Sequence, residues 1–288
     1  MYKLKLGISV KLGDDFAENI KKIKETGFDS VDLDLCRFWS ERDKEIKLYE
    51  ELGEGLETVR NSGLYFNAVH ISFGTFWDFS AQDENDRKAA VLRTEEIFSK
   101  CNPYSPFCYV IHGSFEGFGV EDRKEKTEQL KKSLSELRKL TSAKICVETL
   151  PRMCLGNTSE ELCGIVDAVS GIDVCIDVNH LLYEKPEDAV LKLGDRIKTT
   201  HISDYDFINE WHWLPGEGDI QWQKLIKAFE KIGSGGVWNY ELSLTERETI
   251  IRDRDLTYMD IKRNFDELFN GKALTVIGRR KENLGFWG

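Results

Sequence analysis

All five histidines of the chain lie at or near the ends of short apolar runs, and several carboxylates do the same. The histidines are His70, His112, His180, His201 and His212, and the acids are Glu148, Asp177, Glu210 and Glu241. Imidazole nitrogens and carboxylate oxygens are the donors that Zn²⁺, Mn²⁺, Co²⁺ and Mg²⁺ accept in proteins. Glutamates beside a bound cation stay ionised and can move protons. These residue types predict a divalent metal site with acid–base chemistry.

The densest of these stretches runs from His201 to Trp222. It follows an apolar run and contains two histidines, several acids and the turn Pro215-Gly-Glu-Gly218. Asp219 has the position of a helix N-cap, which predicts a helix beginning there and running through Phe229. A polar loop without function is the alternative reading of this stretch alone.

The elements that must position these residues are eight short apolar runs, each followed by an amphipathic segment. The runs are 4–10, 30–35, 65–71, 108–111, 144–147, 173–176, 196–200 and 236–240, and the segments are 14–27, 46–63, 84–100, 121–141, 158–169, 186–194, 219–232 and 256–270. This order predicts parallel strands joined by helices. Eight such units predict an α/β fold, the (β/α)8 TIM barrel. An open doubly wound sheet is the alternative, but no G-x-G-x-x-G follows the first run.

The chain contains no linker rich in proline, glycine or serine. Residues 1–270 are therefore predicted to form a single (β/α)8 barrel domain. Residues 271–288 are predicted to be a C-terminal extension that packs on the barrel or on a partner subunit, unless it is a partly ordered tail.

Four polar residues close successive strands of the predicted barrel: Glu148, Asp177, His201 and Glu241. In TIM barrels the chemistry lies at the C-terminal ends of the strands, so these side chains should converge. Three neighbouring carboxylates would repel one another unless a cation neutralised them. Each residue alone could instead be a helix cap or a hydrogen-bonded structural group. Together they predict a metal site.

His180 follows Asp177 by three residues, a spacing that places it in the loop beyond the strand, because side chains of a strand alternate. From there it could bind substrate, or a second metal together with His212. Trp77 and Trp213 are predicted to form an apolar wall for a small ligand.

Composition narrows the partners and the compartment. The net charge is −11 and the pI is near 5.1, which makes nucleic acid an unlikely partner. Seven cysteines without a C-x-x-C pair indicate a reduced, cytoplasmic protein. The N-terminus shows no cleavable signal, and no apolar run is long enough to cross a membrane.

These residues resemble those of the xylose-isomerase-like TIM barrels. The resemblance rests on Glu148, Asp177-x-x-His180, His201 and Glu241, with Pro215-Gly-Glu-Gly-Asp-Ile-x-Trp222 after the seventh strand, and covers roughly residues 65–245. That superfamily contains sugar and sugar-phosphate isomerases and epimerases as well as type IV apurinic endonucleases.

The resemblance to the sugar enzymes implies one divalent metal held by Glu148, Asp177, His201 and Glu241. Glu148 and Glu241 would exchange protons with the substrate through an enediolate that the metal stabilises. The implied activity is isomerisation or epimerisation of a sugar, sugar phosphate or keto-polyol. His180 would bind a substrate oxygen, and His70, His112, His212, Trp77 and Trp213 are further candidates for substrate binding.

Two alternatives remain open. The endonuclease pattern has a histidine at the position of His212, an acid two residues earlier and histidines closing strands 3 and 4. Glu210, His70 and His112 fit that pattern, although the family's acid is an aspartate. With His180 and His212 as further ligands, up to three metals and phosphodiester hydrolysis are implied. The other alternative is a ligand-binding barrel without catalysis. A small-molecule sugar is the predicted partner, and a homodimer is plausible.

Overall fold

Eight parallel strands form the barrel in the computed structural model, which describes residues 4–13, 15–36, 42–115, 117–246, 248–282 and 284, with the backbone alone for 42–47. The strands are β1 Lys5–Lys11, β2 Ser30–Asp34, β3 Tyr65–His70, β4 Cys108–Ile111, β5 Lys144–Glu148, β6 Ile172–Asp177, β7 Ile197–His201 and β8 Val237–Tyr240. Their spatial order follows the chain, with β8 beside β1. The predicted (β/α)8 TIM barrel is confirmed.

The seam between β7 and β8 closes through residues just beyond the strand ends. The backbone N–H of Ile202 donates to the carbonyl of Asn239 at 2.8 Å, and the N–H of Glu241 donates to the carbonyl of Ile202 at 3.1 Å. These bonds tie the residue after His201 to Glu241 and so fix two predicted ligands relative to each other.

The helices surround the strands. They are α1 Phe16–Thr26, α2 Arg42–Ser62, α3 Glu84–Cys101, α4 Arg123–Leu137, α5 Ser159–Val166, α6 Pro186–Leu193, α7 Trp222–Lys231 and α8 Tyr258–Phe269. Each buries an apolar stripe against the strands, as Leu130, Leu134 and Leu137 of α4 do. The main core lies between strands and helices, while a smaller cluster that includes Cys108, Cys146 and Cys175 fills the barrel itself.

The predicted start of α7 at Asp219 is wrong. The helix begins at Trp222, and its N-cap, Gln221, makes no capping bond through its side chain. The carboxylate of Asp219 instead accepts from the guanidinium of Arg280 at 2.8 Å. The Asp219 carboxylate, which would otherwise cap the helix, is therefore bound by Arg280, about sixty residues away in sequence.

The described part of the predicted C-terminal extension packs on the barrel. Its strand β10, Arg279–Arg280, pairs antiparallel with β9, Ile250–Ile251, and its Leu274 lies against Gly216. The domain boundary at residue 270 stays a prediction, and residues 283 and 285–288 of the extension lie outside the described residues. None of the described helices has the length and apolar character needed to cross a bilayer.

Candidate metal centre

The predicted histidines and acids meet at a cavity at the C-terminal ends of the strands. Its volume is about 700 Å³, and the residues that line it include His70, His112, Glu148, His180, Glu210, His212 and Glu241. Strand ends position Glu148, Asp177 and His201, and Glu241 directly follows β8. The parallel barrel topology therefore brings together residues that are almost one hundred positions apart in sequence.

The four predicted ligands converge most closely. One donor atom from each of Glu148, Asp177, His201 and Glu241 lies within 4.8 Å of the others. Nδ1 of His201 is 2.8 Å from Oε1 of Glu148 and 2.9 Å from Oε2 of Glu241. Two ligands bound at right angles about 2.1 Å from a cation lie about 3 Å apart, so this spacing fits a divalent ion.

Burial makes a cation at this point energetically important. Oδ1 of Asp177 accepts from the N–H of Asn179 at 2.7 Å, whereas its buried Oδ2 has no hydrogen-bond partner among the described residues. A buried carboxylate oxygen without a partner costs about 1–3 kcal/mol or more. A metal ion would satisfy that oxygen and neutralise the acids around it. The residues present therefore fit a divalent cation.

The pKa values of two acids of the site, Glu148 and Asp177, are shifted in opposite directions. Burial opposes ionisation of Glu148, but the imidazoles of His201 and His112 hold the pKa of this carboxyl well below its usual range. Burial raises the pKa of Asp177 to about 7, aided by the charges of Glu241 and Glu148 and opposed by that of His180. Without a cation, Asp177 is therefore only partly ionised at neutral pH.

His70 and His112 form a second group around the far oxygen of Glu148. Nε2 of each imidazole is 3.0 Å from Oε2 of Glu148. Nδ1 of His70 lies 3.0 Å from the carbonyl of Ile71, and the ring of Phe73 stacks on that of His112 at 4.5 Å. The donor atoms of His70, His112 and Glu148 are also close enough to hold a cation. Glu148 could thus serve two metals.

His180, Glu210 and His212 are nearby but arranged differently. Nε2 of His180 lies 3.2 Å from one oxygen of Glu210, and Arg152 donates to the other oxygen at 2.6 Å. Nδ1 of His212 lies 3.1 Å from the carbonyl of Glu241. These three residues do not form a group of mutually close donor atoms in the described chain. The guanidinium occupies an oxygen that a third cation would need.

The two predicted tryptophans do not line the cavity. Trp77 is buried in a turn after β3, and the indole N–H of Trp213 donates to Thr249 at 2.8 Å. Trp211 lines the cavity instead, stacked on Trp213 with ring centroids 5.8 Å apart. His212, between them, has the left-handed φ of 50°. Strand-like alternation treats residues 211 and 213 alike and cannot tell which of them faces the cavity.

The cavity residues that the sequence reasoning missed include two with metal-ligating side chains. Asp34 closes β2 and Cys36 follows it, and together with His70 they form another group of close donor atoms. Sγ of Cys36 is 3.2 Å from Nδ1 of His70. Inspecting the end of the second apolar run, as was done for the third to eighth, would have found both.

Comparison with known proteins identifies the family. A sequence model described as xylose isomerase-like TIM barrel matches residues 20–269, so the chain belongs to that family. The search of curated proteins gives no match.

Solved structures of sugar epimerases share the fold. A D-tagatose 3-epimerase-like protein is 21% identical, with 93% of this chain and 99% of that chain covered and a TM-score of 0.71. D-psicose 3-epimerase from Clostridium cellulolyticum H10 is 19% identical over 85% of this chain and 87% of that one, with a TM-score of 0.67. A 3-keto-D-glucoside 4-epimerase from E. coli is 18% identical over 93% and 98%, with a TM-score of 0.67. At these identities the likeness shows the fold, and the activity has to be argued from the site.

Proposed function

We propose that this member of the xylose isomerase-like TIM barrel family is a metal-dependent isomerase or epimerase of sugars or closely related keto-polyols. The observation that carries the proposal is the convergence of Glu148, Asp177, His201 and Glu241, whose donor atoms lie within 4.8 Å of one another beside a large cavity. Three acids and one imidazole suit a hard or borderline divalent ion. The names of the structural neighbours above, two sugar epimerases and one epimerase-like protein, support the same reaction class.

The proposed reaction is proton transfer next to a carbonyl. A divalent cation bound to the four residues would supply Lewis acidity that polarises the carbonyl of the substrate. Glu148 and Glu241 reach the site from β5 and from the end of β8, so they approach a bound molecule from different directions. One carboxylate removes the proton α to the carbonyl. The other returns a proton to the opposite face in an epimerisation, or to the neighbouring carbon in an isomerisation.

The protonation states of the two glutamates suit these roles. In the metal-free protein, burial raises the pKa of each carboxyl, but His201 and the neighbouring imidazoles of His112 and His70 together hold the pKa of both below the usual range. Both are therefore ionised at neutral pH, so either can act as the general base, and the glutamate that returns a proton must first take one up.

The remaining polar side chains of the cavity would hold the substrate. His180 donates from Nδ1 to the carbonyl of Thr149 at 2.9 Å, which leaves Nε2 directed at Glu210 and the cavity. His112 lies across the cavity with its ring against Phe73. These histidines are placed to bind hydroxyl groups, and Phe73 and Trp211 offer apolar surface to the C–H face of a sugar.

The test is solvent exchange. Protein loaded with Mn²⁺ or Co²⁺ is incubated in D₂O with a panel of ketoses, including D-fructose, D-tagatose and D-psicose, and deuterium at the carbons beside the carbonyl is followed by NMR. Loss of a general acid–base group costs typically about 10²–10⁴-fold, and we expect such a loss of exchange in both Glu148→Gln and Glu241→Gln. Glu128→Gln, an exposed change on α4, is the control and should behave as wild type.

Two results would contradict the scheme. Full exchange by both glutamine variants, with metal shown to be bound, would exclude these glutamates as proton carriers. No exchange by the wild type with any ketose would favour a ligand-binding barrel or the second candidate below.

The second candidate is a multi-metal phosphodiesterase of the apurinic-endonuclease type. The observation in its favour is the pair of imidazoles, His70 and His112, each with Nε2 at 3.0 Å from Oε2 of Glu148. Metal analysis of the purified protein and a nicking assay on a duplex with an abasic site distinguish the two. One metal per chain without nicking favours sugar chemistry, whereas two or three metals with catalytic nicking favours hydrolysis.

A further inference from the structure

Asp32 lies inside the barrel behind His201. It belongs to β2, it is fully buried, and none of the residues proposed above as ligands or proton carriers is on that strand. Its Oδ1 accepts from the amide nitrogen of Asn67 at 2.7 Å, and the same amide nitrogen donates to Oγ1 of Thr199 at 2.9 Å. One oxygen of Asp32 is therefore fixed by an amide nitrogen, an atom that can only donate.

The other oxygen faces the imidazole. Oδ2 of Asp32 is 3.9 Å from Nε2 of His201. Both atoms are buried, and neither has a hydrogen-bond partner within the described part of the chain. Each is thus placed to satisfy the other, and an approach of about 1 Å would bring them to ordinary hydrogen-bond distance. Buried polar atoms that lack partners are rare, because each one costs free energy.

The two nitrogens of His201 have different tasks. Nδ1 lies among the carboxylates, 2.8 Å from Glu148 and 2.9 Å from Glu241, where the cation would bind. A neutral imidazole carries its proton on one nitrogen only, so Nδ1 can act as a ligand only if the proton is on Nε2. An ionised carboxylate facing Nε2 favours that tautomer.

We propose that Asp32 is a positioning residue that holds His201 with its proton on Nε2 and so keeps Nδ1 free to bind the cation. The inference rests on the metal site of the proposed function. Carboxylates that accept from a metal-bound histidine orient the ring and increase its basicity, and their loss typically weakens metal binding by about 10–100-fold.

The interaction with Asn67 makes the hypothesis unusually testable. While the amide nitrogen of Asn67 stays turned toward position 32 and Thr199, the new side chain of Asp32→Asn presents its oxygen to that nitrogen, because two donors cannot face each other. The NH₂ group of residue 32 then faces Nε2 of His201 and favours the tautomer with the proton on Nδ1. That tautomer cannot bind the cation, although the size and shape of the side chain are unchanged.

A swapped pair supplies the matched control. In the double variant Asp32→Asn with Asn67→Asp, the carboxylate at position 67 accepts from the NH₂ group at position 32. The oxygen at position 32 is then turned toward Nε2 of His201, which restores the required tautomer. The composition, the net charge and the total side-chain volume equal those of the wild type. A purely coulombic effect of Asp32 would not be restored, because the negative charge has moved away from His201.

The affinities for Zn²⁺ and Co²⁺ are measured on the full chain by competition with a chelator, without sugar. We expect Asp32→Asn to bind about 10–100-fold more weakly than wild type, and the swapped pair to recover most of that loss. Equal affinity of Asp32→Asn and wild type would overturn the proposal. So would a swapped pair that binds as weakly as the single variant.

An NMR readout covers the case in which a variant does not fold. In Zn²⁺-loaded wild-type protein with ¹⁵N-labelled histidine, we expect the Nε2–H of His201 to be protected from solvent exchange and shifted downfield by its carboxylate acceptor. A ring without this signal would refute the proposal on wild-type protein alone. If the wild type binds metal but incorporates no deuterium into any ketose, the proposed function is refuted and the role of Asp32 is unaffected.

Discussion

The buried ion pair between Glu217 and Arg252 is expected to be a major determinant of stability. Glu217 belongs to the turn Pro215–Gly218, and both side chains are fully excluded from solvent. Oε1 of Glu217 accepts from Nε of Arg252 at 3.2 Å and from the N–H of Gly278 at 2.7 Å. Oε2 accepts from the guanidinium as well and from the N–H of Leu214 at 3.0 Å. One carboxylate thus joins the turn, the segment at Arg252 and the C-terminal segment.

The expected magnitude follows from this geometry. Glu217→Gln removes the buried carboxylate that pairs with Arg252, and breaking a buried pair in this way costs about 3–5 kcal/mol. Arg252→Met leaves the carboxylate with two backbone donors, so we expect a loss at the lower end of that range. The double variant removes both charges together, and its loss should be smaller than the sum of the single losses by about 1–3 kcal/mol.

The assay is urea unfolding, with the free energy of unfolding taken from the midpoint and the slope. The control is Asp167→Asn, which breaks the pair between Asp167 and Arg196, whose side chains are 54% and 32% exposed. An exposed pair is worth only about 0–1 kcal/mol. The reasoning would be refuted if Glu217→Gln cost no more than this control, or if the two single losses simply added.

Three further outcomes are expected. Thr149→Val removes a hydroxyl that donates to the carbonyl of Asp177 at 2.9 Å and accepts from its N–H at 2.8 Å. We expect the free energy of unfolding in urea to fall by about 1–3 kcal/mol. A chelator titration should also show weaker metal binding. Burial opposes ionisation of Glu210, but His180 and then Arg152 lower its pKa to about 2, so Arg152→Ala should raise that pKa toward the usual value in a ¹³C NMR titration, and an unchanged pKa would contradict the ion pair. Because this pair stabilises the fold above the ordinary glutamate pKa and is lost as pH falls toward 2, the variant should also lose less stability than wild type in that acidic window. Removal of metal by a chelator should lower the Tm. Adding Mn²⁺ or Co²⁺ at about 1,000 times its Kd should restore about 4 kcal/mol of the free energy of unfolding. An unchanged Tm would argue against the metal site.

The sequence was sufficient to predict the barrel because its strands are parallel and buried on both faces. Such strands are short apolar runs whose ends are visible in the sequence, as at Cys108–Ile111 and Lys144–Glu148. Once the runs are placed, barrel topology brings their C-terminal ends together, so the convergence of Glu148, Asp177, His201 and Glu241 could be predicted without coordinates.

What could not be predicted depends on contacts between distant loops. Three hydrogen bonds join residues more than thirty positions apart in sequence: Arg152 to Glu210, Trp213 to Thr249 and Arg280 to Asp219. Local patterns contain no information about such pairs. Asp32 was overlooked for another reason, since it lies in the middle of β2 and only the ends of strands were considered as sites.

The contact of Gly278 and Arg280 with the turn at Glu217 has a consequence for synthesis of the protein. The turn follows the loop that carries Glu210 and His212. The hydrogen bonds that Gly278 and Arg280 donate to it come from residues translated after all eight barrel strands. A nascent chain with a finished barrel would still lack the contacts that hold this turn. The polypeptide can therefore complete its barrel before this turn is held in place, and the contacts of Gly278 and Arg280 with the turn form only when this segment has left the ribosome.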